Sequence, residues 1–590
     1  MLLINIKAFL EREHLMNQGM EVDRRTKVLE FRDDETTTYA ILSHRWIDHT
    51  EVDYGEMVNL AKMDKAERDE IRGRLGYRKI CDTCEQARKH QYEWVWIDTC
   101  CIDKRSSAEL SEAINSMYRW YENSRVCYVY LHDVSDFDFP IASDESRYPK
   151  SNGWPEWFSR GWTLQEMIAP KDVWFFNKNW QLIGDKRTRS RTLSKITRVP
   201  GHILEKGLSG NRPCVAQVIS WAAYRMTKRV EDRAYSLMGL LDVNMPMLYG
   251  EGKKAFHRLQ LELIRTSNDQ SIFAWGRHGH GRTGSILADD PTFFADCADM
   301  ELIDHDEFIH SLKFDIPEKE LPLIERDLFG TFPITNRGIH IWMFLRCARD
   351  SDSVFEAVLP CRTSWGPPET ICLGLWNSNY YRYSLPWGGL LTRGNLQFRQ
   401  VYLRYQDSLN CDVTFEVDDS AMTENGFTYC NSCPSELKGN MLVLTGASPL
   451  CVRTYSNSQG DLFAVAFGQC FSQGWIHVTR NFTGELPQFY ERELVKGPER
   501  AQLMADAPSR SEHYGRIWVH HVRISNWIVR TSRMVWERSR IGVRIEAFRG
   551  VNSNSDLNKW RTLDVEVRFF LVYTSCCYNF YRESVIVILT

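Results

Sequence analysis

No stretch of about 18 consecutive apolar residues occurs in this 590-residue chain, so no membrane-spanning helix is expected. The opening apolar segment, Met1 to Lys7, lacks a basic leader and is interrupted by Glu11, Arg12 and Glu13, too early for a secretory signal. Long basic runs are missing and the net charge is -4, which leaves no electrostatic case for nucleic acid or an acidic membrane as partner. No Gly-rich phosphate loop follows the first predicted strand, so a dinucleotide held in the usual Rossmann manner is not expected. Neither a hydrolase elbow around a serine nor an internal repeat nor a low-complexity tract is found. Cysteine, by contrast, is plentiful. Seventeen in a chain without a signal sequence point to reduced thiols in a cytoplasmic setting, not to a disulfide framework.

Hydrophobic residues at 43% and charged ones at 25% describe a globular protein, and 590 residues exceed what one core usually spans. Residues 1–38 read as a leader. From Tyr39 to Trp46 the chain begins as a buried strand and ends polar, and residues 47–75 read as a charged, exposed insertion. A helix over Gly76 to Tyr92, a strand over Trp94 to Asp98, and an amphipathic helix over Ser107 to Asn123 follow, the last with Leu110, Ile114, Met117 and Tyr121 on one stripe. Val126 to Leu131 is apolar throughout, as doubly covered strands are, and Val173 to Phe176 is a fourth strand. Alternating strands and helices predict an α/β open parallel sheet over 39–199, of flavodoxin-like order, with a helical extension over 200–276. The Gly/His-rich residues 277–285 read as a linker. Short alternating runs beyond it predict a β-rich domain, sandwich or barrel, over 286–590, and the tail Val585 to Leu589 reads as a strand.

In an open parallel sheet, ligands bind beyond the carboxyl ends of the strands where the order reverses. If the strand order is 2-1-3-4, three separate stretches converge on that rim. Ser43, His44, Arg45 and Trp46 follow the first strand, Asp98 ends the second, and a short helix after the third is framed by Ser159 and Pro170. Trp162 and Glu166 stand four apart on one face of that helix. Each candidate has a plainer use. His44 can bond a loop backbone, Arg45 can make a surface ion pair, Trp46 and Trp162 can pack, Asp98 can cap the next segment, and Glu166 can be a surface partner. Cys81 and Cys84 fall inside a predicted helix, far in sequence from Cys430 and Cys433, so no metal site is expected.

The blocks Tyr39–Trp46, Trp96–Asp103 and Arg160–Glu166 resemble, in order, the three signature blocks of the heterokaryon incompatibility (HET) domain of filamentous fungi. Asp232–Leu240 and Met247–Gly252 are similar to the segment that commonly follows. HET domains are in turn similar to TIR domains, in which a Trp and a catalytic Glu lie where Trp162 and Glu166 lie here. The resemblance implies a trigger of regulated cell death on fusion of unlike fungal cells. It further implies hydrolysis of NAD⁺ as substrate, with no bound cofactor: Glu166 catalytic, and Ser43, His44, Arg45, Trp46, Asp98 and Trp162 lining the substrate site. The alternative is a non-enzymatic death-signalling module that self-associates through this domain and recruits a recognition partner.

Overall fold

The structure is a computed structural model. It describes residues 1–549 apart from 21, 24, 209, 211, 277–282, 318–331, 365, 386–389, 407–411, 436–438, 447, 480–484, 507–509, 513–514, 525–526 and 538–539. The chain divides into two compact units, Met1–Ser408 and Leu409–Thr590. The boundary read at 277–285 falls inside the first unit, and 277–282 and the tail strand at 585–589 lie outside the described residues.

The first unit opens with a seven-stranded sheet of β1 (Leu2–Asn5), β2 (Leu29–Phe31), β3 (Ala40–His44), β4 (Trp94–Trp96), β5 (Val126–Tyr130), β6 (Val173–Phe176) and β7 (Leu182–Asp185). The order across it is β2-β1-β4-β3-β5-β6-β7. Its centre, β4-β3-β5-β6, is parallel, with Ala40 beside both Val95 and Val126 and Cys127 beside Val173. All five residues of β3 are buried, as a strand covered on both faces requires.

The sheet is mixed, which corrects the expectation of an all-parallel one. β1 runs antiparallel to both β2 and β4, and β7 runs antiparallel to β6. Residues 1–38, read as a leader, therefore supply one edge of the sheet together with helix α1 (Ile6–Asn17). Residues 47–75 are also more than an exposed insertion. They form helices α2 (Tyr54–Asn59) and α3 (Lys65–Gly73), and bury Val52, Met57, Leu60 and Ile71. Their charge masks a sparse apolar stripe.

Two longer helices connect the parallel strands. Helix α4 (Leu75–Lys89) buries Tyr77, Ile80, Cys84 and Ala87, one face at helical spacing. Helix α5 (Ser107–Asn123) starts where Ser106 Oγ accepts the Glu109 N–H at 3.3 Å, and it buries Ala113, Ile114, Met117, Trp120 and Tyr121. The chain passes from β3 to β4 on one side, then crosses to β5 on the other. The carboxyl ends of β3 and β5 thus flank the point where the order reverses.

Beyond the sheet the first unit continues through short helices to Lys254–Thr266, then a closed five-stranded barrel of Ile339–Ala348, Val354–Val358, Thr370–Trp376, Asn379–Arg382 and Thr392–Leu403. One continuous apolar core runs from Leu2 to Leu403. In the second unit a four-stranded antiparallel sheet and a six-stranded sheet enclose Phe415, Phe427, Phe463, Val465, Phe467 and Ile541. The region after 285 is β-rich, as its spacing predicted.

Candidate functional site

The short helix α6 (Thr163–Ile168) crosses the carboxyl end of the central strands, and all six of its residues are buried. Pro170 limits it as expected, with Ala169 as the last position. Its start differs from the expectation. Ser159 does not cap it; Ser159 closes a preceding 3-10 turn, Glu156–Ser159, and its Oγ donates to Glu156 O at 2.7 Å. Trp162 occupies the cap position without a side-chain bond to the helix, and Thr163 Oγ1 fixes the turn by donating to Trp157 O at 2.7 Å. At the other end the Lys186 ammonium, itself buried, donates to Met167 O at 3.2 Å and to Pro170 O, satisfying carbonyls that a helix end leaves open.

Glu166 is 5% exposed and lies at the end of β3. Ser43 Oγ donates to its Oε2 at 2.5 Å, and the indole Nε1 of Trp157 donates to the same Ser43 Oγ at 2.8 Å. The Tyr121 hydroxyl, which donates to Leu42 O at 3.1 Å, also lies within bonding reach of the carboxyl. Burial, and then the charge of Asp98, push the Glu166 carboxyl up to about 8, against the opposing pull of Ser43, Tyr121 and the Arg225 guanidinium. At neutral pH it is therefore largely protonated. Arg225 is buried too; desolvation lowers its guanidinium to about 9, and Glu166 pulls the other way.

The rest of the rim sorts into two groups. His44 is buried, its Nε2 3.6 Å from Glu51 Oε2 and 3.8 Å from Asp98 Oδ1. Trp46, 37% exposed, donates from Nε1 to Asp98 Oδ2 at 2.7 Å and lies under the Lys104 ammonium at 3.9 Å. Ser43 and Glu166 thus form one bonded pair, and His44, Trp46 and Asp98 a second group whose Asp98 acts on Glu166 through its charge. Arg45 is turned away to Glu156, with Nε 2.7 Å from Oε2, and the Trp162 indole is committed to Asp232. Trp162 and Glu166 consequently face different partners, although their spacing puts them on one face. Behind His44, burial pushes the Glu51 carboxyl up, but His44 and the Lys79 ammonium at 2.7 Å outweigh it and bring it down to about 2.

Several residues of this site carry no signal in the sequence. Trp157 lies two residues before the framed helix, but nothing local says that its indole reaches back to β3. Tyr121 belongs to a packing stripe by its spacing, which says nothing of where its hydroxyl goes. Arg225 lies in the helical extension about 60 residues after Glu166, and only the fold brings the two together. Among the described residues no group of three or more His, Cys, Asp or Glu side chains is arranged to hold a metal ion. Cys84 is wholly buried within α4, and burial raises its thiol well above the ordinary range, which makes it a poor nucleophile or ligand. No helix of the described residues is long and apolar enough to cross a membrane.

Residues 39–154 match the family described as "Heterokaryon incompatibility protein (HET)", and the chain therefore carries a HET region there. A segment of 224 residues is 43% identical to vegetative incompatibility protein HET-E-1 of Podospora anserina. That match covers 38% of this chain and 16% of the relative, so the chain spans only a small part of the protein it resembles. Among solved structures, the wild-type lectin XCL of Xerocomus chrysenteron and a mutated form of it each align over 24% of this chain, at 13% identity with a TM-score of 0.17. A score that low does not indicate a common fold.

Proposed function

We propose that the chain is a vegetative-incompatibility protein that triggers cell death, and that its first unit does so by hydrolysing NAD⁺ at the nicotinamide–ribose bond. The observation that carries this reading is the single carboxyl of Glu166, held by Ser43 at the carboxyl end of β3, where an open α/β sheet takes its ligands. The C1′–N bond breaks heterolytically and nicotinamide leaves with the electron pair. A cation of oxocarbenium character develops on the ribose, as in glycoside cleavage. The Glu166 carboxyl, ionised once solvent reaches it and the burial that holds its proton is lost, stabilises that charge; water adds to C1′, and the water's proton is released to solvent. Trp46 offers a ring for the base, and Asp98 orients it through the indole N–H. The similarity to TIR domains, in which a Glu occupies this place, supports the assignment; the 43% identity to a vegetative incompatibility protein supports the biological role.

The test uses the full chain, wild type and Glu166→Gln, compared for NAD⁺ consumption with release of nicotinamide and for toxicity on expression. Gln keeps the size but not the charge, and a loss of about 10²–10³ in rate is expected, as for other single electrostatic contacts to a transition state. Killing that persists in Glu166→Gln with no NAD⁺ consumed by either form overturns the enzymatic reading.

A second reading is favoured by one specific feature. Tyr224, Met226 and Val230 stand 59%, 50% and 52% exposed within one short stretch of turns and bends. Apolar side chains grouped in this way serve a docking surface for self-association or recruitment of a partner. In that reading Glu166 is a buried, neutral hydrogen-bonding residue and no NAD⁺ is consumed.

A further inference from the structure

Residues 224–230 bond at one end to the entry of α6, the helix that carries Glu166, and at the other to the loop that follows β3, the strand whose Ser43 holds it. Main-chain bonds fix one end: Met226 N donates to Ser159 O at 2.6 Å, and Gly161 N donates to Met226 O at 2.9 Å. Beside them Arg225 Nη1 donates to Arg160 O at 2.8 Å and to Thr163 Oγ1 at 3.0 Å, so its guanidinium grips the first turn of α6. Thr227 packs on Gly161 so closely that a Cβ there would stand 2.6 Å from its methyl group. At the far end the exposed Lys228 ammonium pairs with Asp48, four residues beyond His44. From behind, Arg233 holds the segment's backbone through Arg225 O at 2.7 Å and is itself paired with Asp290 at 2.7 Å.

We propose that residues 224–230 are a latch that closes over the cluster of Ser43 and Glu166, and that its release is what brings the Glu166 carboxyl into contact with solvent and substrate. The catalytic half of this statement rests on the function proposed above. A carboxyl buried as this one is meets no substrate while the latch is shut. The latch is built asymmetrically. Its inner side carries Arg225, whereas its outer side shows Tyr224, Met226 and Val230 to water. A partner that takes those apolar side chains would draw the segment outward and carry Arg225 with it. Release also changes the chemistry of the site. Once solvated, Glu166 loses the burial that keeps it protonated and becomes the anion that the reaction uses.

The experiment labels carboxyl groups with a carbodiimide and glycinamide and reads Glu166 by mass spectrometry, alongside hydrogen exchange of the Gly161 amide, and of the Met226 amide in every form but Met226→Pro, which has none. The forms compared are wild type, Lys228→Glu, Lys228→Glu/Asp48→Lys, and Met226→Pro, all in the full chain and with matched circular dichroism. Lys228→Glu sets two anions against each other. Met226→Pro deletes the N–H that bonds Ser159 O while altering an exposed side chain. Each is expected to raise Glu166 labelling and amide exchange about 3–10-fold, the scale of one lost hydrogen bond, and the charge-swapped double variant should restore both. Unchanged Glu166 labelling in Lys228→Glu and Met226→Pro overturns the latch, whether or not the amides exchange faster. NAD⁺ turnover, measured in the same samples, separates the two proposals. If labelling follows the expected order but no form consumes NAD⁺, the latch stands and the enzymatic reading falls.

Discussion

Glu166 is unusual less for its position than for its surroundings. Its carboxyl accepts from Ser43 Oγ, which in turn accepts from Trp157, and both donors are buried with it. A group whose folded value lies above its unfolded 4.5 holds its proton more tightly when folded. The stability this contributes is complete below pH 4.5 and is lost as pH rises through about 8. Wild type is therefore expected to melt at progressively lower temperature between those limits, and Glu166→Gln to show a flatter profile over the same window. Parallel slopes in the two forms would mean that some other group governs this pH range. That Glu166 follows the third strand is legible in the sequence; that it meets Ser43 of β3 depends on the strand order the fold takes. Its burial is not legible there. That depends on Trp157, Tyr121 and Arg225 closing around it from three other segments.

The element that sets the site is α6, too short at six residues to be stable alone. Four constraints hold it: Thr163 at its start, Lys186 at its end, β3 below through Ser43, and the latch above. Gly161 is where the last of these bears most directly. An alanine Cβ at this position would stand 2.6 Å from Thr227 Cγ2, and the Thr227 side chain is branched and stiff, so Gly161→Ala has no room. It is expected to cost about 1–3 kcal/mol in chemical denaturation, as overpacking commonly does, and Gly161→Ala/Thr227→Ser should recover most of it. No recovery in the double variant would place the strain elsewhere in the turn. The Arg-Gly-Trp spelling stands out in the sequence, but the reason for its glycine is Thr227, far along the chain.

Within the first unit, buried polar contacts at Phe273, Trp275, Ile286 and Ala288 tie the barrel and the last long helix to the chain between them. The Arg382 guanidinium, from a barrel strand, donates to Phe273 O at 2.7 Å and lies 4.6 Å over the Trp275 ring, whose Nε1 donates to Ile286 O at 2.8 Å. Gln260, from the last long helix before the barrel, exchanges bonds with Ala288, donating at 2.8 Å and accepting at 2.9 Å. A fragment of residues 1–408 is accordingly expected to melt in one cooperative step. Arg382→Met in it should lower that step as a whole, by about 3 kcal/mol, since each buried bond to a charged donor contributes about 1.5–3 kcal/mol. A boundary at 277–285 predicts instead two transitions in calorimetry, with only one of them moved by Arg382→Met.

The features legible in the residues alone are local and periodic. The four central strands follow from apolar runs, α4 and α5 from helical spacing, and the β-rich texture beyond 285 from short alternating runs, whereas the 2-1-3-4 order is one of several that alternation permits and is settled by the fold. Strands, helices and texture are properties that neighbouring residues fix among themselves. Whatever depends on distant segments meeting is settled only when the chain folds. The first residues become an antiparallel edge because Ile4 finds Val95. Arg45 leaves the site because Glu156 is within reach, and Trp162 leaves it because Asp232 is. Glu166 is shut in because Arg225 and Thr227 return over its helix, and no pattern within either stretch records that the two will be in contact.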